Sequence, residues 1–119
     1  MPEAVIEVGE KLLVITRENF IGDARRHFVG EVLAVSDENV RVQGYAQVYD
    51  WIHYKYVKKV ELRTRIFSLS SAQLIFFILP MEVSISSLHY DSSNVNKLSL
   101  VDGSGFSLNL DEFSVLDQK

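Results

Sequence analysis

The stretch His27–Asp50, HFVGEVLAVSDENVRVQGYAQVYD, decides the fold. Its second half alternates without a break. Val40, Val42, Gly44, Ala46 and Val48 fall on one side, and Arg41, Gln43, Tyr45, Gln47 and Tyr49 on the other. Period-two alternation over this length marks a strand with one buried and one wet face. Phe28–Val35 is rich in β-branched and apolar residues, which suits a partner strand. Between the two lies Ser36-Asp37-Glu38-Asn39. Ser and Asp bond their own backbone in turns, and Asn tolerates positive φ. The whole reads as a β-hairpin with a loop over 36–39, on which further strands can pair.

Outward from this hairpin, Lys11–Arg17 (KLLVITR) reads as a first strand. Glu18–Arg26 is a connection carrying Gly22 and two adjacent arginines. The alternation lapses over Tyr49–Lys55 and resumes over Tyr56–Leu69 as one long strand. There Val60, Leu62, Thr64 and Ile66 oppose Glu61, Arg63 and Arg65. The run LIFFILP at 74–80 is continuously apolar, which fits a buried strand or a short buried helix. Its Ile and Phe content favours the strand, and Pro80 ends it. Lys97–Val101 and Phe106–Leu110 flank Asp102-Gly103-Ser104-Gly105, the signal of a second hairpin. Asp111-Glu112-Phe113 reads as a closing helical turn, with residues 1–10 and 117–119 as loose ends. The expected fold is a single all-β domain over 1–119. It is a small barrel or strongly bent antiparallel sheet of six to seven strands, with at most one or two helical turns.

Composition narrows the function classes. The chain has 119 residues and no cysteine, which removes disulfides, thiolate metal sites and thiol nucleophiles. The N-terminus MPEAVIEVGE lacks a basic segment before an apolar one, so it does not read as a secretory signal. The longest apolar run is far shorter than the roughly 20 residues of a membrane span. The expectation is a soluble cytoplasmic protein with no membrane partner. Net charge is −4, unevenly spread. Residues 1–65 hold ten Lys and Arg against ten acids, and residues 66–119 hold two against six. That balance disfavours a general affinity for nucleic acid and leaves room for a local basic face.

Two segments carry candidate binding residues. Arg25, Arg26 and His27 could grip a phosphate or carboxylate, because guanidinium offers a two-pronged fork. The plainer alternative is a solvated loop in which Asp23 pairs with an arginine. From Trp51 to Arg65 aromatic and basic side chains interleave: Trp51, Tyr54, Lys58, Lys59, Arg63 and Arg65, with Glu61 the single acid. Such a stretch can stack bases and neutralise phosphates, form a protein interface, or cap one end of the fold. His27, His53 and His89 lack metal-ligand spacing, so no metal and no cofactor is expected. His53 with Asp50 could orient a general base, but no nucleophile is marked and no catalytic residue is assigned. A non-enzyme is expected.

Leu12–Gly44 resembles the Sm-like and SH3-like small barrels. The strand LLVIT, FVGEVLAVS with Gly30 in mid-strand, the turn with Asp37 and Asn39, and VRVQG carry the resemblance. It covers about a third of the chain. The Glu18–Arg26 connection is long for an Sm first hairpin, and the second half shows no Sm signature. The resemblance implies ring assembly by strand pairing, with RNA bound at the pore. The acidic second half counts against RNA. Together these readings point to a non-catalytic binding or assembly module that pairs with itself or with another protein. The alternative is RNA or single-stranded nucleic-acid binding through residues 51–65.

Overall fold

A computed structural model describes residues 5–16, 26–50, 52–53, 55–71, 73–91 and 99–110. Among them the fold is all-β, with no helix. None of it therefore crosses a membrane as a helix. The strands are β1 (Lys11–Thr16), β2 (Arg26–Val35), β3 (Asn39–Asp50), β4 (Lys55–Lys58), β5 (Arg63–Ser68), β6 (Leu74–Leu79), β7 (His89–Asp91), β8 (Ser99–Val101) and β9 (Ser107–Asn109). The first six form one antiparallel sheet in the order β4-β3-β2-β1-β6, with β5 also on β3. The last three form a small sheet, β7-β8-β9.

The organising hairpin forms as the alternation demands. Ser36 N–H donates to the Asn39 carbonyl at 2.9 Å, and Asn39 N–H donates to Ser36 Oγ at 3.1 Å. These bonds close the turn, and β3 starts at Asn39 rather than after it. The apolar run at 74–79 is the strand β6, paired with β1 from Lys11↔Leu79 to Thr16↔Leu74. The second hairpin also forms. The Asp102 carboxylate accepts from Ser104 N–H, Ser104 Oγ–H and Phe106 N–H at 2.9, 2.9 and 3.0 Å. Its turn glycines Gly103 and Gly105 have φ of 81° and 126°, a region other residues rarely adopt. The expected helical turn at 111–113 lies outside the described residues. Residues 5–10, expected to be a loose lead-in, are tied to β2. Gly9 N–H donates to the Val32 carbonyl at 2.9 Å, and Ile6 is buried in the core.

The expected long strand over 56–69 is two strands. Lys58 faces Gln47 and Arg63 faces Gly44 across the same edge of β3. Residues 59–62 thus oppose only Tyr45 and Ala46, so the extra length bulges out of the ladder. Its alternation survives, with Arg63, Arg65 and Phe67 turned to the inside of the sheet. The apolar Leu62 and Ile66 are left exposed at 53% and 63%.

The large sheet is strongly curled. Its flat width across five strand positions would be about 19 Å. Yet Phe67 on β5 and Phe76 on β6, at opposite edges, have ring centroids 6.5 Å apart. Phe28 on β2 lies 5.7 Å from Phe67. Inside the curl these rings join Ile6, Leu12, Val14, Val32, Val40 and Val42. The outer face carries a second core of Leu13, Val29 and Leu79 with Val83, Leu88, Tyr90 and Leu100 from the later segment. The central strands β1 and β2 are therefore buried on both faces.

Two glycines permit the bend. Gly30 and Gly44 face each other across the β2–β3 ladder. A Cβ on Gly30 would meet the Gln43 carbonyl oxygen at 2.5 Å and Val42 Cγ1 at 2.6 Å. A Cβ on Gly44 would fall against the Val29 carbonyl oxygen and the Gly30 Cα. Backbone cannot swing aside as a side chain can. Gly44→Ala is therefore expected to cost about 3 kcal/mol or more, in the upper range for forced overpacking. Urea unfolding followed by circular dichroism measures it. An unchanged midpoint and slope would contradict the close approach.

Candidate functional site

At one end of the curl, four strands and the bulge before β5 deliver side chains around an open cavity of about 460 Å³. Thr16 ends β1, Arg26 and Phe28 begin β2, and Ala46 and Val48 come from β3. Lys59 and Glu61 come from the bulge, and Arg63, Arg65 and Phe67 from β5. The floor is apolar and the rim is charged. Among the described residues Arg26, Lys59, Arg63 and Arg65 stand against the single acid Glu61, so the described lining carries +3 on a chain of net −4. Arg63 Nη2 pairs with Glu61 Oε2 at 3.0 Å, and both are solvent-exposed. The Arg65 guanidinium sits 5.8 Å from the centroid of the Phe28 ring, a cation–π contact that holds it over the floor.

The sequence candidates sort unequally onto this site. Arg26, His27, Lys59, Arg63 and Arg65 all border the cavity. Arg25, Trp51 and Tyr54 lie outside the described residues. Lys58 does not belong to it, because strand alternation sends it to the outer face. There its ammonium donates to the Ser86 carbonyl and lies 4.8 Å from the Tyr45 ring centroid. Burial lowers its pKa below the ordinary lysine value.

His27 borders the cavity, but its imidazole is engaged on the outer side. Nδ1 is hydrogen-bonded to the Tyr90 hydroxyl, and Nε2 lies 3.4 Å from the Tyr56 hydroxyl. The rings of His27, Tyr56 and Tyr90 pack within 4.7 to 5.3 Å of one another. Burial, then the neighbouring Tyr56, raises the Tyr90 pKa above its ordinary value. Beside them Gln47, placed by alternation on the wet face, is buried at 1% exposure. Its Nε2 donates to the Leu88 carbonyl at 3.4 Å. The residues around Leu88 cover this end of the sheet, a long-range contact that a local pattern cannot encode.

Asp50 and His53 do meet, at 2.6 Å between Oδ2 and Nδ1. They form a turn: Asp50 Oδ1 also accepts from the Ile52 and His53 backbone N–H groups at 2.9 and 3.3 Å. The His53 side chain is 66% exposed, and neither residue borders the cavity. Among the described residues, no three His, Asp or Glu side chains converge into a metal-binding group. Compared with known proteins, the chain matches no family model, no curated protein and no solved structure.

The Asp50 pKa is lowered, chiefly by the His53 side-chain hydrogen bond. A carboxyl depressed in the folded state stabilises it above the unfolded pKa of about 3.9 and loses that effect as pH falls through the folded value. His53→Ala should therefore raise the Asp50 pKa toward the ordinary carboxyl value. Carboxyl ¹³C NMR titration reads the shift, and an unmoved pKa would deny the contact.

Proposed function

We propose that the protein is a non-catalytic assembly module, a small curled sheet that associates with copies of itself by strand addition at β5. One observation carries this reading. β5 pairs with β3 on one side only among the described residues, and its outward face exposes Ile66 beside Thr64. A free strand edge offers unpaired N–H and C=O groups to another chain. Leu62 and Ile66, with Val60 at 90% exposure just before the strand, give such a contact apolar area to bury. β6 at the opposite margin also pairs on one side only among the described residues, with β1, and exposes Ile78. Two different free edges on one chain suit head-to-tail association. The resemblance of residues 12–44 to Sm-like small barrels, which assemble by strand pairing, points to the same reading.

The basic-aromatic stretch favours nucleic acid less. Lys58 and Lys59 project to opposite faces, and Glu61 engages Arg63, so 55–65 does not present one continuous basic track.

Sedimentation equilibrium across micromolar concentrations is expected to give masses above the monomer. Ile66→Glu with Leu62→Glu should weaken association about tenfold or more, a loss of at least ~1.4 kcal/mol. A strict monomer at every concentration would overturn the proposal. It would leave the inward arginines of β5 as guards against edge pairing.

A further inference from the structure

We infer that the basic cavity at the end of the curled sheet binds a small organic phosphate, with the phosphate held at the rim and its body against the floor. This goes beyond self-assembly and does not depend on it.

Charge placement is the first ground. A chain of net −4 gathers Arg26, Lys59, Arg63 and Arg65 around one opening, with Glu61 the single acid among the described residues that line it. Each pair of like charges about 6 Å apart costs on the order of 0.7 kcal/mol even at the dielectric of water, and more beside an apolar wall. An anion seated among them turns that repulsion into attraction. The net +3 of the described lining matches a phosphate dianion better than a carboxylate, which would leave two of its cations uncompensated. The three arginines offer two-pronged donors suited to phosphate oxygens.

Shape is the second ground. At about 460 Å³ the cavity falls within the size range of small-molecule sites. It is floored by Phe28, Ala46, Val48 and Phe67, so a ligand with an apolar or planar body gains from entering. A nucleoside monophosphate has this combination of dianion and planar ring. The site is a cavity with a floor at one end of the curl rather than a track along a strand.

Within the site the residues divide the work. Arg65, steadied over Phe28, is the fixed donor. Arg26 and Lys59 have no acidic partner among the described residues and meet the anion directly. Glu61 holds Arg63 at 3.0 Å and competes with the ligand for it. Glu61→Gln should then tighten binding.

The test is an amide NMR titration at constant ionic strength with adenosine monophosphate, inorganic phosphate, adenosine and an eight-nucleotide oligouridine. The expected result is saturable shifts at Phe28, Ala46, Val48 and Phe67 with adenosine monophosphate. Weaker binding of inorganic phosphate at the same site and none of adenosine should accompany it. Lys59→Gln and Arg65→Gln should each weaken binding about tenfold, whereas Arg41→Gln, an exposed cation on the outer face of β3, should leave it unchanged. Lys59 lies off the strands, so its substitution separates lost binding from lost folding. Three outcomes would each overturn the proposal. The first is no saturable shift up to about 10 mM, beyond the millimolar affinity of even a weak site. The second is equal binding of adenosine. The third is oligouridine bound more than about tenfold tighter than the mononucleotide, which would make the site a strand-binding surface.

Discussion

The structure depends on the close approach of two backbones at Gly30 and Gly44. At that register the β2–β3 ladder has no room for a Cβ on either strand. Removing both side chains lets the central hairpin fold over itself instead of lying flat. The second irregularity in the same pair adds to it. Between Val32 and Ala34 the register shifts, leaving Leu33 without a partner and 41% exposed. Bulges sharpen the local twist of a strand. With the bend in place, the chain passes from β5 at one margin to β6 at the other through residues 69–73 alone. The phenylalanines of opposite edges meet inside.

Curling makes two environments from one sheet. The inner face closes on aliphatic and aromatic side chains toward one end and opens into the charged cavity at the other. The later segment covers the outer face over β1 and the middle of β2, and its attachment is partly polar. Lys11 Nζ donates to the Met81 and Val83 carbonyls at 2.6 and 2.5 Å, and Lys58 donates to Ser86. Two lysines on different strands thus satisfy carbonyls of a turn-rich stretch that has no ladder of its own. Charge-assisted bonds of this kind are stronger than neutral ones. They fix residues 81–86 over the sheet while Leu88, Tyr90 and Leu100 fill the space beneath.

Much of this was legible in the residues. The β2–β3 hairpin, β6, and the Asp102–Gly105 turn follow from alternation, β-branched content and turn chemistry, all local signals. The strand at 56–69 shows where local signals stop. Its alternation is real, but its break at 59–62 comes from opposing Tyr45 and Ala46 on β3, a partner the segment cannot specify itself. Gln47 makes the same point from the other side. Its place on the polar face of the alternation is right, but a distant segment covers that face. For the site, residue type identified Arg26, Lys59, Arg63 and Arg65 as cations of interest. Only the curl brings Arg26 of β2 next to the arginines of β5. Lys58 was indistinguishable from Lys59 in composition, and the parity of its strand position separates them.

Without the curl neither the cavity nor the division of β5 into a basic inner face and an outer face exposing Ile66 exists. The most direct test is a nuclear Overhauser spectrum of the chain with assigned aromatic protons. Cross-peaks are predicted between the rings of Phe67 and Phe76 and between Phe67 and Phe28, whose centroids lie 6.5 and 5.7 Å apart. Edges separated by the roughly 19 Å of a flat sheet would give no Phe67–Phe76 peak. That absence would contradict the account.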